Sequence, residues 1–211
     1  MKLHGYFRSS AAYRVRIALG LKGLKAEQVF HHLRKGEQRS EAHLKLNPQG
    51  LLPTLELDDG SVLTQSMAIL EWLEETCPEP PLLAGNSVHR AEIRAFCYAI
   101  ACDIHPVQNL KVLKKLRELG HSEDAVSAWA AWIIADGLDA CEQLLARSTG
   151  PFCFGQAPLM ADVCLVPQLA NARRFGVDVS PFPKLLRAEA GCMALPAFAE
   201  AAPARQPDFE P

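Results

Sequence analysis

The chain has 211 residues, 49% hydrophobic and 22% charged, with a formal net charge of −2 at neutral pH. This is an ordinary globular composition, long enough for one large domain or two small ones, and without the surplus of Lys and Arg that nucleic acid as a main partner would demand. No apolar run approaches the roughly 18–20 residues that cross a bilayer. The start, Met1-Lys2-Leu3-His4-Gly5, lacks the apolar core of an export signal. A cytoplasmic protein with no membrane partner is therefore expected. Seven cysteines (Cys77, Cys97, Cys102, Cys141, Cys153, Cys164 and Cys192) include no C-x-x-C pair, so reduced, mostly buried thiols are expected rather than a disulfide framework. Neither they nor the seven histidines fall at zinc-ligand spacing. His31 and His32 would point to opposite faces of a strand, and no metal is expected.

Residues 2–7 read as a buried strand and 10–22 as a helix with apolar positions Val15, Ile17, Ala18, Leu19 and Leu21. Gly23 is a plausible C-cap. Between strand and helix stand Ser9 and Ser10, where unpaired backbone N–H groups and the positive end of a helix dipole face incoming anions. The plainer alternative is that one of them is only a helix cap. A second strand, Gln28–Leu33, lies one crossover helix later, so the pair should be parallel and right-handed. A polar stretch, Arg34–Glu41, leads to a short helix near Ala42–Leu46 and a turn at Asn47-Pro48-Gln49-Gly50. Leu51–Leu57 and Val62-Leu63 flank Asp58-Asp59-Gly60-Ser61 as a β-hairpin. Ser66 is then a natural N-cap for the helix Met67–Leu73. The order βαβ–α–ββα packs into one mixed sheet with helices on both faces.

Cys77-Pro78-Glu79-Pro80-Pro81 halts that helix and reads as a stiff linker. The organisation expected is residues 1–79 as an α/β domain, 80–87 as linker and 88–211 as an all-helical domain. Helical patterns run over His89–Leu119 with a break at Pro106, then Ala125–Ala146, Ala161–Phe175 and Pro183–Cys192. The stretch from Pro196 should trail over the surface. Trp129 and Trp132 are simplest as core or interface residues.

Several stretches carry a family resemblance. Ser9-Ser10-x-x-Tyr13-Arg14-Val15-Arg16-Ile17-Ala18-Leu19 resembles the signature of zeta-class glutathione transferases. So do Asn47-Pro48-x-x-x-Leu52-Pro53-Thr54-Leu55 and Gln65-Ser66-x-Ala68-Ile69-x-Glu71-Trp72-Leu73-Glu74-Glu75. Pro106-x-Gln108-Asn109-Leu110, Met160-Ala161-Asp162-x-Cys164-Leu165-Val166-Pro167-Gln168 and Arg205-Gln206-Pro207-Asp208 also match. Together they span nearly the whole chain. They are similar to the maleylacetoacetate isomerase family. The resemblance implies a thioredoxin-like N-terminal domain with an all-α C-terminal domain, glutathione as cofactor, a small dicarboxylate substrate and a homodimer. The implied reaction is cis–trans isomerisation of maleylacetoacetate, in tyrosine breakdown, by thiolate addition, bond rotation and elimination. Close alternatives are maleylpyruvate isomerisation in gentisate breakdown, and glutathione transfer to, or dehalogenation of, α-halo acids. Relatives acting on maleylpyruvate tend to carry arginines just after the Asn at 109, where this chain has Leu110-Lys111. A non-catalytic scaffold of the same fold would be expected to lose Ser9 or Gln65-Ser66, and all are present.

The same resemblance implies roles for individual residues. Ser9 would donate to the glutathione sulfur, with Ser10 supporting it or, more simply, serving as the cap. Leu52, before a cis Pro53, would pair its backbone with glutathione; the alternative is an ordinary edge-strand proline. Gln65 and Ser66 would hold the γ-glutamyl carboxylate. His32 and Gln38 would reach the glycyl end, or lie in a solvated loop. Arg8, Lys111 and Arg174 would meet substrate carboxylates; the alternative for such arginines is a surface ion pair. His105 and Asn109 would face the cleft from a kink at Pro106, or His105 would be a core histidine. Asp162 reads as a structural cap, and Arg14 and Arg16 as surface or linker ion pairs. Two positions depart from the family. Ala11 replaces the usual Cys, leaving glutathione's own sulfur to do the chemistry. Leu159 replaces the usual Thr or Ser, which should weaken a helix start by about 0.5–2 kcal/mol unless Pro158 or Asp162 compensates.

Overall fold

The computed structural model describes residues 1–210, and in it β1 (Lys2–Gly5), β2 (Glu27–Phe30), β3 (Thr54–Glu56) and β4 (Val62–Thr64) form a sheet of order β2-β1-β3-β4. β1 runs parallel to β2 and antiparallel to β3, and β3 pairs antiparallel with β4. This is the mixed sheet expected, although β2 ends before His31 and His32. Leu3 pairs with Leu55, and Leu55 with Leu63, giving one apolar face. Gly5 brings that face close to α1 (Ser10–Leu21), its added Cβ falling 3.4 Å from the Cβ of Ala12. The opposite face carries His4, Thr54 and Glu56, with α2 (Glu41–Leu46) over it: His4 and His43 have ring centroids 5.5 Å apart. The helix α3 (Ser66–Thr76) packs against α1.

Two compact units emerge, Met1–Leu82 together with the segment from Met193, and Leu83–Cys192. The last segment therefore belongs with the sheet, not with the helical unit as the expected boundary at residue 88 had it, and it does not trail over the surface. Its single turn α9 (Pro196–Ala199) lies on α1, where Gly20 leaves only 3.2 Å between its would-be Cβ and the Cα of Ala197. Covered by α3 on one side and α9 on the other, α1 is buried continuously from Ala12 to Leu19. That corrects the reading of Arg14 and Arg16 as surface charges: they are only 2% and 8% exposed. Arg16 donates from Nε to the carbonyl of Ala201 (3.0 Å) and from Nη2 to that of Phe7 (3.2 Å), clamping the returning segment to the end of β1. Burial lowers its pKa to about 10. At the far end of α1, buried Lys22 donates to Glu74 (3.0 Å), whose carboxylate also accepts the Leu82 N–H (2.7 Å).

The helical unit contains α4 (Ser87–Tyr98), α5 (Leu110–Glu118), α6 (Glu123–Leu144), α7 (Met160–Arg174) and α8 (Pro183–Met193). Where one long helix broken at Pro106 was expected, α4 instead runs into a π-helical turn, Ala99–Ile104, closed by the bond from His105 N–H to the carbonyl of Ile100 (2.9 Å). Gly137 of α6 admits that turn, since a Cβ there would lie 2.3 Å from Cγ1 of Ile104. The expected capping role of Asp162 holds. Fully buried, it accepts the N–H groups of Cys153 and Leu159, each at 2.8 Å, so it compensates for the missing hydroxyl at Leu159. Burial raises its pKa. Glu142 likewise accepts the Lys184 and Leu185 N–H groups at the start of α8. All seven cysteines are free and five are buried. Burial pushes the thiols of Cys141, Cys153 and Cys192 upward, with Cys141 at about 12. No helix among the described residues is long and apolar enough to cross a membrane.

Candidate functional site

The candidates on the sheet unit gather where β1 hands the chain to α1. Ser9, not Ser10, is the N-cap of α1: its Oγ accepts the Ala12 N–H at 3.2 Å, its carbonyl accepts from Tyr13 at 2.9 Å, and its backbone is extended. Ser10 is the first helical residue, which overturns its expected place as the cap. The capping bond uses a lone pair of Ser9 and leaves its hydroxyl hydrogen to donate elsewhere. No acidic residue sits in the first turn of α1, so the positive end of its dipole is not neutralised there.

A second helix start is tied to the first. Gln65, not Ser66, occupies the N-cap position of α3, at φ 67°, a left-handed conformation costly for a non-glycine residue. Its side-chain amide donates to Oε1 of Gln49 at 2.7 Å. Ser66 opens the helix, is 5% exposed, and accepts from Nη1 of Arg14 at 3.2 Å. A buried guanidinium on α1 thus stands behind the hydroxyl at the start of α3, whose first turn also lacks an acid.

Leu52 and Phe7 belong to one apolar cluster with Tyr6, which brings the loop before β3 against the loop that carries Arg8 and Ser9. The Leu52–Pro53 peptide is cis, as expected, and β3 begins its pairing only at Thr54. Leu51 is pinned from below, its carbonyl accepting from Asn47 Nδ2 (2.9 Å) and His43 Nε2 (3.2 Å). His32 lies against Tyr6, ring centroids 5.1 Å apart. It accepts the Lys35 N–H at Nδ1, which leaves Nε2 to donate to Glu210 at 3.1 Å. Gln38 sits beside Gly50, and its buried Oε1 has no partner among the described residues. Arg8 is half-buried, its guanidinium 5.8 Å from the Phe7 ring centroid.

The remaining candidates belong to the helical unit. His105 ends the π-helical turn and is half-buried. Asn109 is the N-cap of α5 through its carbonyl, with no side-chain capping bond. Lys111 is exposed in the first turn of that helix. Arg174 is the last residue of α7, donates to Asn171, and lies 4.7 Å from the Phe175 ring centroid. Phe175 packs with Trp129 on the cluster of Leu113, Val126 and Ala130, which draws the end of α7 toward α5. Trp129 also donates to the Val107 carbonyl at 3.1 Å, and Trp132 is exposed.

Three contributors escape a reading of the sequence. Arg14 holds Ser66, Gln49 holds Gln65, and Asp208 accepts the Phe7 N–H at 2.9 Å just before Arg8. Arg14 left a physical signal, since a charge inside the near-continuous apolar run Tyr13–Leu19 has to be partnered if that run is buried; Asp208 left only its place in the Arg205-Gln206-Pro207-Asp208 match.

Known proteins match nearly the whole chain. Residues 8–76 match the family described as glutathione S-transferase, N-terminal domain. The chain is 47% identical to the maleylacetoacetate isomerase of Pseudomonas aeruginosa, over 99% of this chain and 98% of that one. A holo structure of maleyl pyruvate isomerase, a bacterial zeta-class glutathione S-transferase, superposes with TM-score 0.96 at 45% identity, covering 100% of both chains. The maleylacetoacetate isomerase of Anaeromyxobacter dehalogenans, solved with dicarboxyethyl glutathione and citrate in its active site, gives TM-score 0.90 at 45% identity, over 100% of this chain and 94% of that one. The chain belongs to the zeta-class glutathione transferase family of maleylacetoacetate and maleylpyruvate isomerases.

Proposed function

We propose that this protein is a glutathione-dependent cis–trans isomerase acting on maleylacetoacetate, with Ser9 as the residue that touches the reacting sulfur. The observation that carries this reading is the Ser9 hydroxyl, which caps α1 by accepting and so keeps its proton for a second partner. Glutathione, when bound, supplies a soft sulfur nucleophile able to add reversibly to the conjugated double bond and let it rotate. A free thiol titrates near 8.5 and is mostly protonated at neutral pH. Ser9 and the acid-free start of α1 favour the anion.

The other residues fit the tripeptide. The first turn of α3, with Ser66 backed by Arg14, suits the γ-glutamyl carboxylate, and Gln65 lies beside it. The backbone of Leu52, outside the sheet ladder, suits the cysteinyl unit. Gln38, with a buried oxygen lacking a partner, and His32 suit the glycyl end. Arg8 is the sheet unit's candidate for a carboxylate of the substrate. Lys111 and Arg174, with His105 and Asn109, are the helical unit's candidates for substrate and cofactor. Ala11 means that no protein thiol stands beside Ser9 in the chain.

Purified protein, given glutathione and maleylacetoacetate, should form the trans product. Maleylpyruvate is the second substrate to assay, because the zeta-class maleyl pyruvate isomerase matches at 45% identity over full length. Turnover of neither acid, with glutathione binding intact, sinks the isomerase reading. The same reading takes the protein as a cytoplasmic homodimer serving tyrosine breakdown. Light scattering tests the dimer, and loss of growth on tyrosine after gene deletion tests the pathway.

A further inference from the structure

Three imidazoles meet on the sheet face that α2 covers. The register explains why. His4 on β1 pairs with Val29 on β2, and His31, two residues on, shares that face. His43 comes down from α2. The three ring centroids lie 4.5–5.5 Å apart. One nitrogen from each ring can be chosen so that all three lie within 4.8 Å of one another.

The hydrogen bonds determine which nitrogens are open to a ligand. Nε2 of His4 contacts the Glu56 carboxylate at 3.0 Å, so it carries the hydrogen and leaves Nδ1 a bare lone pair. Nε2 of His43 contacts the Leu51 carbonyl at 3.2 Å. A carbonyl only accepts, so His43 Nδ1 is also a bare lone pair. It is fully buried in a residue 1% exposed and has no partner among the described residues. Nε2 of His31 points at His4 Nδ1 from 2.9 Å. Their ring centroids are 5.1 Å apart, a separation larger than the nitrogen contact by about two ring radii, so the rings meet edge to edge and the His31 Nε2–H donates in plane to the His4 Nδ1 lone pair.

We propose that His4 Nδ1, His31 Nε2 and His43 Nδ1 form a binding site for a borderline divalent transition-metal ion of the zinc class. Two features match how such sites are built. Each of two ligands is oriented through its far nitrogen, His4 by a carboxylate and His43 by a backbone carbonyl, the outer-shell arrangement that fixes tautomers in metal centres. Three neutral imidazoles with a fourth position for water are a known zinc coordination set, and imidazole selects Zn, Cu and Ni over Mg and Ca. Zn–N bonds of roughly 2.0–2.1 Å place tetrahedral ligands about 3.3 Å apart. His4 and His31 need to part by a few tenths of an ångström, and the His43 ring to swing its Nδ1 toward them. On binding, His31 changes tautomer, its proton passing from Nε2 to Nδ1, and the ion takes the place of the hydrogen between His4 and His31. The ion would tie β1, the end of β2 and α2 together. Through His43 it would also reach Leu51, one residue before Leu52.

The experiment is a titration of untagged full-length protein with Zn²⁺, without glutathione or other chelating thiols, followed by calorimetry, metal analysis after desalting and thermal melting. One ion per chain should bind, and the melt should shift upward with zinc concentration. His31→Ala, at the half-buried position, should keep the native circular dichroism spectrum and lose affinity by at least about 100-fold, together with the zinc-induced melting shift. Glu56→Gln should weaken binding by roughly 10–100-fold, the usual cost of an outer-shell change. Cys102→Ser, removing the exposed thiol, should leave affinity unchanged. The proposal is overturned if wild type binds no stoichiometric zinc, if a folded His31→Ala binds it equally, or if binding follows Cys102. Because nothing in it depends on glutathione, it stands or falls apart from the isomerase reading.

Discussion

Two helix starts in this molecule solve the same problem in opposite ways. At α7, Asp162 uses both carboxylate oxygens on backbone N–H groups, from Cys153 and Leu159, and is fully buried. Every donor it can reach is satisfied, and nothing remains for a ligand. At α1, Ser9 satisfies one N–H with a lone pair, puts no acid in the first turn and retains a donating proton. A helix start closed by a carboxylate stabilises the fold; one closed by a hydroxyl still presents positive potential and a donor to an anion. The α3 start is of the second kind, reinforced by the buried cation of Arg14.

The comparison breaks most visibly in activity. Ser9→Ala should lower isomerase kcat/KM by about 100-fold or more, as loss of a donor to a reacting anion does, while costing only about 1 kcal/mol of stability as a lost cap. Asp162→Ala should do the reverse. Two buried N–H groups lose their acceptor, on the order of 3 kcal/mol or roughly 6–12 °C in Tm, while kcat/KM per folded molecule changes far less than in Ser9→Ala. Stopped-flow assays beside thermal melts separate the two. A smaller effect is expected at α3: Arg14→Met should raise the KM for glutathione about tenfold, the value of one hydrogen bond from a charged donor, with kcat at saturation nearly unmoved. Smallest are the two controls. Ser10→Ala should keep its rate within about twofold, because Ser10 lies inside the helix rather than capping it. Leu159→Ser should fail to raise Tm, since a hydroxyl cap gains about 0.5–2 kcal/mol and the buried leucine (4% exposed) forfeits about 1.5–3 kcal/mol.

Much of the sheet unit was legible because its signals are local. Strand, helix and hairpin follow from apolar periodicity and the Asp-Gly turn, and the strand pairing follows from the crossover rule. The caps fall one residue earlier than expected at both serines, because a Ser-Ser or Gln-Ser pair offers two hydroxyl or polar candidates and only backbone dihedrals decide between them. What failed outright was long-range. Arg14 and Arg16 read as surface charges because nothing near them in sequence announces the segment from Met193 that returns to cover α1. Asp208 and Gln49 reach their partners across 201 and 16 positions. The histidine cluster was invisible for the same reason: ligand spacing is a rule for sites built on one loop, and positions 4, 31 and 43 come together only through sheet register and the docking of α2. In the helical unit the break near Pro106 was readable, but the π-helical turn before it depends on Gly137 of another helix.

Ser9 should lower the pKa of the bound glutathione thiol. Thiolate absorbance of the wild-type complex, followed against pH, should titrate at least about one unit below the ordinary 8.5, and in Ser9→Ala should return toward it. An unshifted thiol in the wild type, or the same depressed value in both proteins, would contradict a role for Ser9 at the sulfur.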